Sequence, residues 1–154
     1  MHLKKLTPSF YSNNTHLIQA LDLKNGVWIR GKERGYGIVV IEINNLMFGI
    51  PLRSNIKHKA AYLTKRRNHG ETNKGLDFSK AVLLEYRFYV SDFDFKIPPN
   101  EHSKLIGKEV FITNRFKKYV DKYISAVKNS DSNILNSKEY RYTTLQNYHN
   151  NLDI

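Results

Sequence analysis

Cysteine is absent from all 154 residues, which excludes disulfides and thiolate metal sites. Long apolar runs are absent too. No stretch approaches the roughly 20 residues needed to cross a bilayer, and the opening "MHLKKLTPSF" lacks the apolar centre of a secretory leader. The histidines, His2, His16, His58, His69, His102 and His149, are scattered without His-Glu-x-x-His or other ligand spacing, so no metal site is expected. No carboxylate cluster suited to two-metal nucleic-acid cleavage is visible. The glycine-containing stretch "RGKERGYG" is not followed by Gly-Lys-Ser/Thr, so it is no phosphate-binding P-loop, and no cofactor is expected. Acid is also scarce. Fourteen Asp and Glu face 25 Lys and Arg, a net charge of +11. Self-repulsion of that size works against a compact chain and points to an anionic partner.

The charge is uneven. Residues 1–80 hold 14 basic and 5 acidic side chains, and residues 81–154 hold 11 and 9. A membrane surface would also attract such a field, but no apolar run of bilayer length accompanies it. A cytoplasmic protein that meets nucleic acid is the favoured class. With 40% hydrophobic and 12% aromatic residues there is enough apolar material for one core, so a single domain over 1–154 is expected.

Periodicity suggests the elements. "HLKKL" reads as a first strand ended by Thr7-Pro8, and "NNTHLIQALDL" as a short helix capped by Asn14 or Thr15. "NGVWIRG" opens on a turn signal and continues as a strand. "YGIVVIEI" and "LMFGIPL", joined by Asn44-Asn45, read as a β-hairpin, since Asn tolerates the positive φ of a tight turn. "SKAVLLEYRFYV" reads as one long strand with Leu84, Tyr86, Phe88 and Val90 on one side. About 25 residues, Arg53 to Asp77, separate it from the hairpin, and "KHKAAYLTKRR" in that interval reads as a short helix. So long an excursion in a small β domain is more often functional than idle. After Pro98-Pro99, Phe116, Tyr119, Val120, Tyr123, Ile124 and Val127 recur at helical spacing, and "YTTLQNYHNNL" is a weaker C-terminal helix. The expected architecture is α+β: a compact, strongly bent antiparallel sheet or barrel with helices at the N-terminus, in the loop after the hairpin and at the C-terminus.

The candidate chemistry lies in and around that interval. Arg53, Lys57, Lys59, Lys65, Arg66 and Arg67, with His58, share a run that contains no acid, a composition suited to phosphates. Arg30, Lys32, Arg34 and Tyr36 lead into the hairpin, the last three spaced to share one side of an extended segment. Ser54 can donate to a phosphate oxygen or cap a turn. In "GLDFSK", Leu76 and Phe78 look like core. Asp77 can orient a base, pair with a cation or cap a turn, and Ser79 and Lys80 can face a phosphate. Neighbouring cations favour a neutral imidazole at His58. Arg115, Lys118 and Lys122 fall opposite the apolar face of the long helix, where a basic stripe can grip RNA or be merely solvated. Tyr140, Tyr142 and Tyr148 can stack on bases or pack in the core.

In order, "YGIVVIEI" after basic residues, "PLRSN", the basic loop and "KGLDFSKAVLLEYRFYV" resemble the endoribonuclease toxins of type III toxin–antitoxin systems, the ToxN and AbiQ group, and most closely its TenpIN-type members. The opening "LKKLTPSFYSNNTHLIQALD" fits the start of that family. The similarity spans most of residues 2–128 as an order of elements and is specific mainly over 30–90. It implies an SH3-like barrel related to the Kid and MazF toxins, and metal-independent RNA cleavage leaving a 2′,3′-cyclic phosphate and a 5′-hydroxyl. It further implies a role in phage defence and inhibition by a small repetitive pseudoknot RNA in an assembly of toxin and RNA copies. On the family pattern, the hydroxyl and lysine after the "PL" strand end correspond to Ser54 and Lys57, and the basic residue before the hairpin to Lys32 or Arg34. Arg53 stands where some relatives have Thr, and the spacing from Ser54 to Lys57 is longer than in the best-known members.

The residues agree with that chemistry. RNA carries its own nucleophile, so an enzyme need only align the 2′-hydroxyl, take its proton, stabilise the charged phosphorane and protonate the leaving oxygen. His58 and Lys57 are the candidates for the base, and Asp77 for an orienting role. Ser54 and Ser79 are expected to meet at one mouth of the barrel. Two other readings stand beside this one: a non-catalytic nucleic-acid-binding domain, and a MazF-like toxin held by a protein antitoxin.

Overall fold

The computed structural model describes residues 1–29, 37–68, 70 and 72–154. The strands are β1 (Lys4–Leu6), β2 (Leu23–Lys24), β3 (Val27–Trp28), β4 (Ile38–Ile43), β5 (Leu46–Arg53), β6 (Ala61–Lys65), β7 (Lys74–Asp77), β8 (Val82–Leu83) and β9 (Val90–Asp94). The helices are α1 (Pro8–Asn13), α2 (Pro99–His102), α3 (Glu109–Lys128) and α4 (Ser132–Leu135). The architecture is α+β around an antiparallel sheet. Among the described residues the strand path runs β6-β7-β5-β4-β1-β9, with β8 also on β5 and β2-β3 as a separate hairpin. The path is open, since β6 and β9 end it unpaired with each other.

The hairpin β4–β5 is the spine. Asn44 and Asn45, both at positive φ, make its turn and set a continuous register from Ile38↔Pro51 to Ile43↔Leu46. The other edge of β5 changes partner partway, from β8 at Phe48 and Gly49 to β7 at Leu52 and Arg53. Pro51 sits at the change. The Leu52 N–H points to Gly37 on the β4 side. The missing N–H of Pro51 therefore belongs on the other edge, where no ladder bond is lost. This divided pairing bends the sheet around the core.

Helix α3 covers the sheet. Its apolar residues fall at the expected spacing, and Ile112, Phe116, Tyr119, Val120 and Tyr123 are buried. Phe116 meets Phe48 of β5 and Phe78, with ring centroids 5.3 and 5.6 Å away. Beyond the other end of the sheet, Phe10 and Tyr11 of α1 pack on Trp28 and Phe10 on Tyr89, and Trp28 Nε1 donates to the Tyr11 carbonyl at 2.6 Å. Among the described residues no helix is long and apolar enough to cross a membrane.

Four sequence expectations are corrected. The N-terminal helix occupies Pro8–Asn13, earlier than "NNTHLIQALDL". Pro8 presets its first turn, and the Asn14 side chain closes it by donating to Phe10 O at 2.7 Å. Residues 14–22 are turns, with Gln19 and Asp22 at positive φ. The expected helix in "KHKAAYLTKRR" is instead β6, because β7 offers it an open edge. Gly75 permits the close approach, as a Cβ there would overlap the Tyr62 carbonyl. "SKAVLLEYRFYV" is not one strand either. Phe78–Lys80 and Arg87–Tyr89 are 3-10 turns, with only Val82–Leu83 extended between them. The Asp77 carboxylate accepts from Ser79 N, and the Thr144 hydroxyl donates to the Ser79 and Ala81 carbonyls, so these groups of the first turn are satisfied outside any strand ladder. Tyr86 and Phe88 face solvent, while Tyr89 is the buried residue. The C-terminal stretch makes only a 3-10 turn at Thr144–Asn147.

Candidate functional site

The phrase "GLDFSK" builds the centre of the site. Gly75 and Leu76 hold β7 between β5 and β6. Asp77 ends the strand fully buried, with four bonds converging on it. Its Oδ1 accepts from Ser79 N at 3.0 Å and from Ser79 Oγ at 2.6 Å, and lies 3.1 Å from His58 Nε2. Its Oδ2 accepts from Arg53 Nη1 at 2.9 Å. Burial alone would raise the Asp77 carboxyl's pKa. The bond and charge of His58, then the bonds of Ser79 and Arg53, outweigh burial and hold it below the usual carboxylate value. Asp77 is thus a buried anion that orients a guanidinium and an imidazole.

His58 is fixed at both nitrogens. The Ala60 N–H donates to Nδ1 at 3.1 Å, so the ring proton belongs on Nε2, where it faces Asp77. Ser79 Oγ lies 3.3 Å from the same nitrogen.

Lys80 turns the other way. Its ammonium donates to Gln19 O at 2.8 Å and Tyr142 O at 2.9 Å, joining the N-terminal turns to the C-terminal segment. Burial is the main cause that lowers its pKa to about 8. Nearby Asp77 opposes the shift, and Arg53 adds to it. The neutral amine keeps two N–H groups, enough for the same two carbonyls.

Arg53 joins two clefts. One, of about 620 Å³, lies between Arg53, Lys80 and the turns from Thr15 to Gly26. The other, of about 330 Å³, has Arg53, Lys57, His58 and Tyr142 on its walls. Lys57, His58 and Lys138 carry the second into a cleft of about 810 Å³ that also takes in Lys59 and Arg67. Lys59 and Glu139 carry that one into a fourth, of about 530 Å³, walled by Arg115, Lys118 and Lys122 of α3. The clefts form a chain along one basic surface on which, among the described residues, Glu139 and Asp22 are the acids.

The fold therefore gathers Arg53, Lys57, His58, Lys59, Arg67, Ser79, Lys80, Arg115, Lys118 and Lys122 in or beside one groove, with Asp77 beneath. Lys65 and Arg66 are exposed but line none of these four clefts. Ser54 is exposed at the end of β5 and does not meet Ser79. The register places Gly75 opposite Arg53, whereas Ser79 turns inward to Asp77 and His58. The expected joint mouth is corrected accordingly. Arg30, Lys32, Arg34 and Tyr36 lie outside the described residues. Of the three tyrosines, Tyr140 and Tyr148 are buried and Tyr142 is 52% exposed. Among the described residues no group of three or more His, Asp or Glu side chains is gathered as a metal site.

Sequence reading missed Lys138 and Arg141. They are distant along the chain and belong to no basic run, so no local signal marks them. The shifted Lys80 is likewise invisible in "FSK", since its burial comes from segments around residues 19 and 142.

No family model, curated protein or solved structure matches this chain.

Proposed function

We propose that this protein is a metal-independent, sequence-specific endoribonuclease toxin of a type III system, acting in the cytoplasm and restrained by a small repetitive pseudoknot RNA. The bent open sheet would then be a variant of the SH3-like barrel of the Kid and MazF toxins. The carrying observation is Arg53: a guanidinium aimed by a buried carboxylate at the junction of two clefts within a long basic groove. Such a group suits a scissile phosphate, because Asp77 holds only one of its nitrogens and the residue lines both clefts.

Charge stabilisation falls to Arg53 and Lys57. Lys80 lines the first cleft together with Arg53 and suits the proton acceptor there, since a lysine whose pKa is about 8 is partly deprotonated near neutrality. Lys57, on the other side of Arg53, suits the donor to the leaving oxygen. His58 serves as a wall and as a partner of Asp77, because neither ring nitrogen is free. That same observation favours a second reading, an RNA-binding module without catalysis.

The test is to incubate the purified chain with total bacterial RNA in EDTA and map the ends. New 5′-hydroxyl and 2′,3′-cyclic phosphate ends at one short sequence, absent with Arg53→Ala, support the toxin reading. Tight binding with intact RNA supports the second. Copurification of a second polypeptide in place of RNA would argue for a protein antitoxin.

A further inference from the structure

The cleft of about 330 Å³ has features that phosphate binding does not explain. Tyr142 is an exposed aromatic set among cations. It is held by what flanks it. Tyr140 is buried and stacked on Tyr119, with centroids 4.5 Å apart and planes 7° off parallel. The Tyr140 hydroxyl donates to Tyr119 O at 2.8 Å, and the Tyr119 hydroxyl to Glu139 O at 2.7 Å. Thr143 and Thr144 are buried on the other side. The Tyr142 carbonyl is itself clamped by Lys80. An exposed ring on so fixed a backbone loses little freedom when something stacks on it.

The Arg141 guanidinium lies 4.8 Å from the centroid of the Tyr142 ring and covers one face of it. The other face is left for a flat ligand. The same cleft is lined by Asn55, held at positive φ with its N–H donating to Thr72 Oγ1 at 3.1 Å. Its side-chain amide makes no hydrogen bond to a described residue and has both a donor and an acceptor to offer. Arg53, the proposed phosphate residue, lines the same cleft.

We propose that Tyr142, Arg141 and Asn55 form a subsite for one unpaired nucleobase, next to the phosphate held by Arg53. Tyr142 supplies the stacking surface. Asn55 reads the edge of the base. The cleft admits a base only when its nucleotide is single-stranded or turned out of a helix, so the subsite selects RNA segments free of pairing. This inference rests on the RNA reading of the groove but not on cleavage.

The test uses labelled short single-stranded RNAs with 2′-fluoro sugars, which bind without supplying the nucleophile. Their affinity is compared with that of the same backbone carrying abasic residues. Wild type should bind the base-bearing strand more tightly. Tyr142→Ala should lose on the order of tenfold or more on it and nothing on the abasic strand. Tyr142→Phe should retain wild-type binding, and circular dichroism should show both variants folded. Asn55→Ala should narrow the differences among homopolymers of the four bases. Equal losses on both strands, unchanged binding in Tyr142→Ala, or no binding of single strands by wild type would overturn the subsite. Unmodified RNA in parallel keeps the two readings apart. Stacking without cleavage would sink the ribonuclease and leave the subsite, whereas cleavage indifferent to Tyr142 would do the reverse.

Discussion

The groove has a floor and a rim, and they are held by opposite means. On the floor, Asp77, Ser79 and Lys80 are nearly sealed from solvent, and each polar atom that matters has a partner at a set distance. On the rim, Lys57, Lys59, Lys138 and Arg141 are exposed. A floor of this kind fixes direction, because moving a buried charge off its partner costs several kcal/mol. A rim of this kind supplies a field that falls off over about 10 Å in ordinary salt and tolerates movement. The contrast predicts that floor variants change stability and geometry, while rim variants change only affinity.

The largest expected effect is on the floor. Asp77→Ala strands Arg53 and His58 and removes the cap of the Phe78–Lys80 turn. It should cost about 3 kcal/mol in urea unfolding and abolish the proposed RNA cleavage. Asp77 also gives the fold an acid limit. Its pKa is depressed in the folded state, so its contribution is present above the unfolded value of 3.8 and is lost as pH falls through the lower folded value. A wild-type acid transition no steeper than that of Asp77→Ala would contradict this role.

Gly75→Ala comes next. The added methyl meets the Tyr62 carbonyl and must push β6 from β7, at about 2 kcal/mol. Its clearest signature would be faster amide exchange at Leu63 and Leu76 than in the wild type.

Lys80 tests the floor through pH. Its pKa is about 8 folded against 10.5 unfolded, so the unfolded chain binds more protons between those values. Wild-type stability should therefore rise with pH across that window, and the rise should be missing in Lys80→Met. Parallel profiles would show that Lys80 is not desolvated.

The smallest changes in stability belong to the rim. Lys57→Ala and Lys138→Ala should each leave unfolding within about 0.5 kcal/mol of wild type. Each should lower the slope of log affinity for RNA against log salt by about one. A stability loss as large as that of Asp77→Ala would erase the distinction between floor and rim.

Elements whose pattern repeats along the chain were legible in sequence. The hairpin followed from β-branched and aromatic flanks around Asn44-Asn45. Helix α3 followed from aromatics at helical spacing, and Leu76 and Phe78 were recognisable as core. The basic loop was recognisable as a cation source for the same reason, since a run without acid is a local property. The failures share one cause. Residues 61–65 became a strand because β7 lay beside them, and residues 78–80 a turn because Asp77 and Thr144 satisfied their backbone. Distant residues made those choices, and no window of sequence contains both partners.

The sequence by itself determined the positive field, the absence of cysteine chemistry and the main hairpin and helix, because charge, composition and periodicity are additive along a chain. Only the tertiary structure decided that Arg53 and His58 share one buried carboxylate and that Lys80 sheds its proton readily. It also decided that Tyr142, alone of the three tyrosines, stands exposed at the groove. Burial and orientation depend on what packs from elsewhere, and the desolvation that sets those properties exists only once the chain has closed around them.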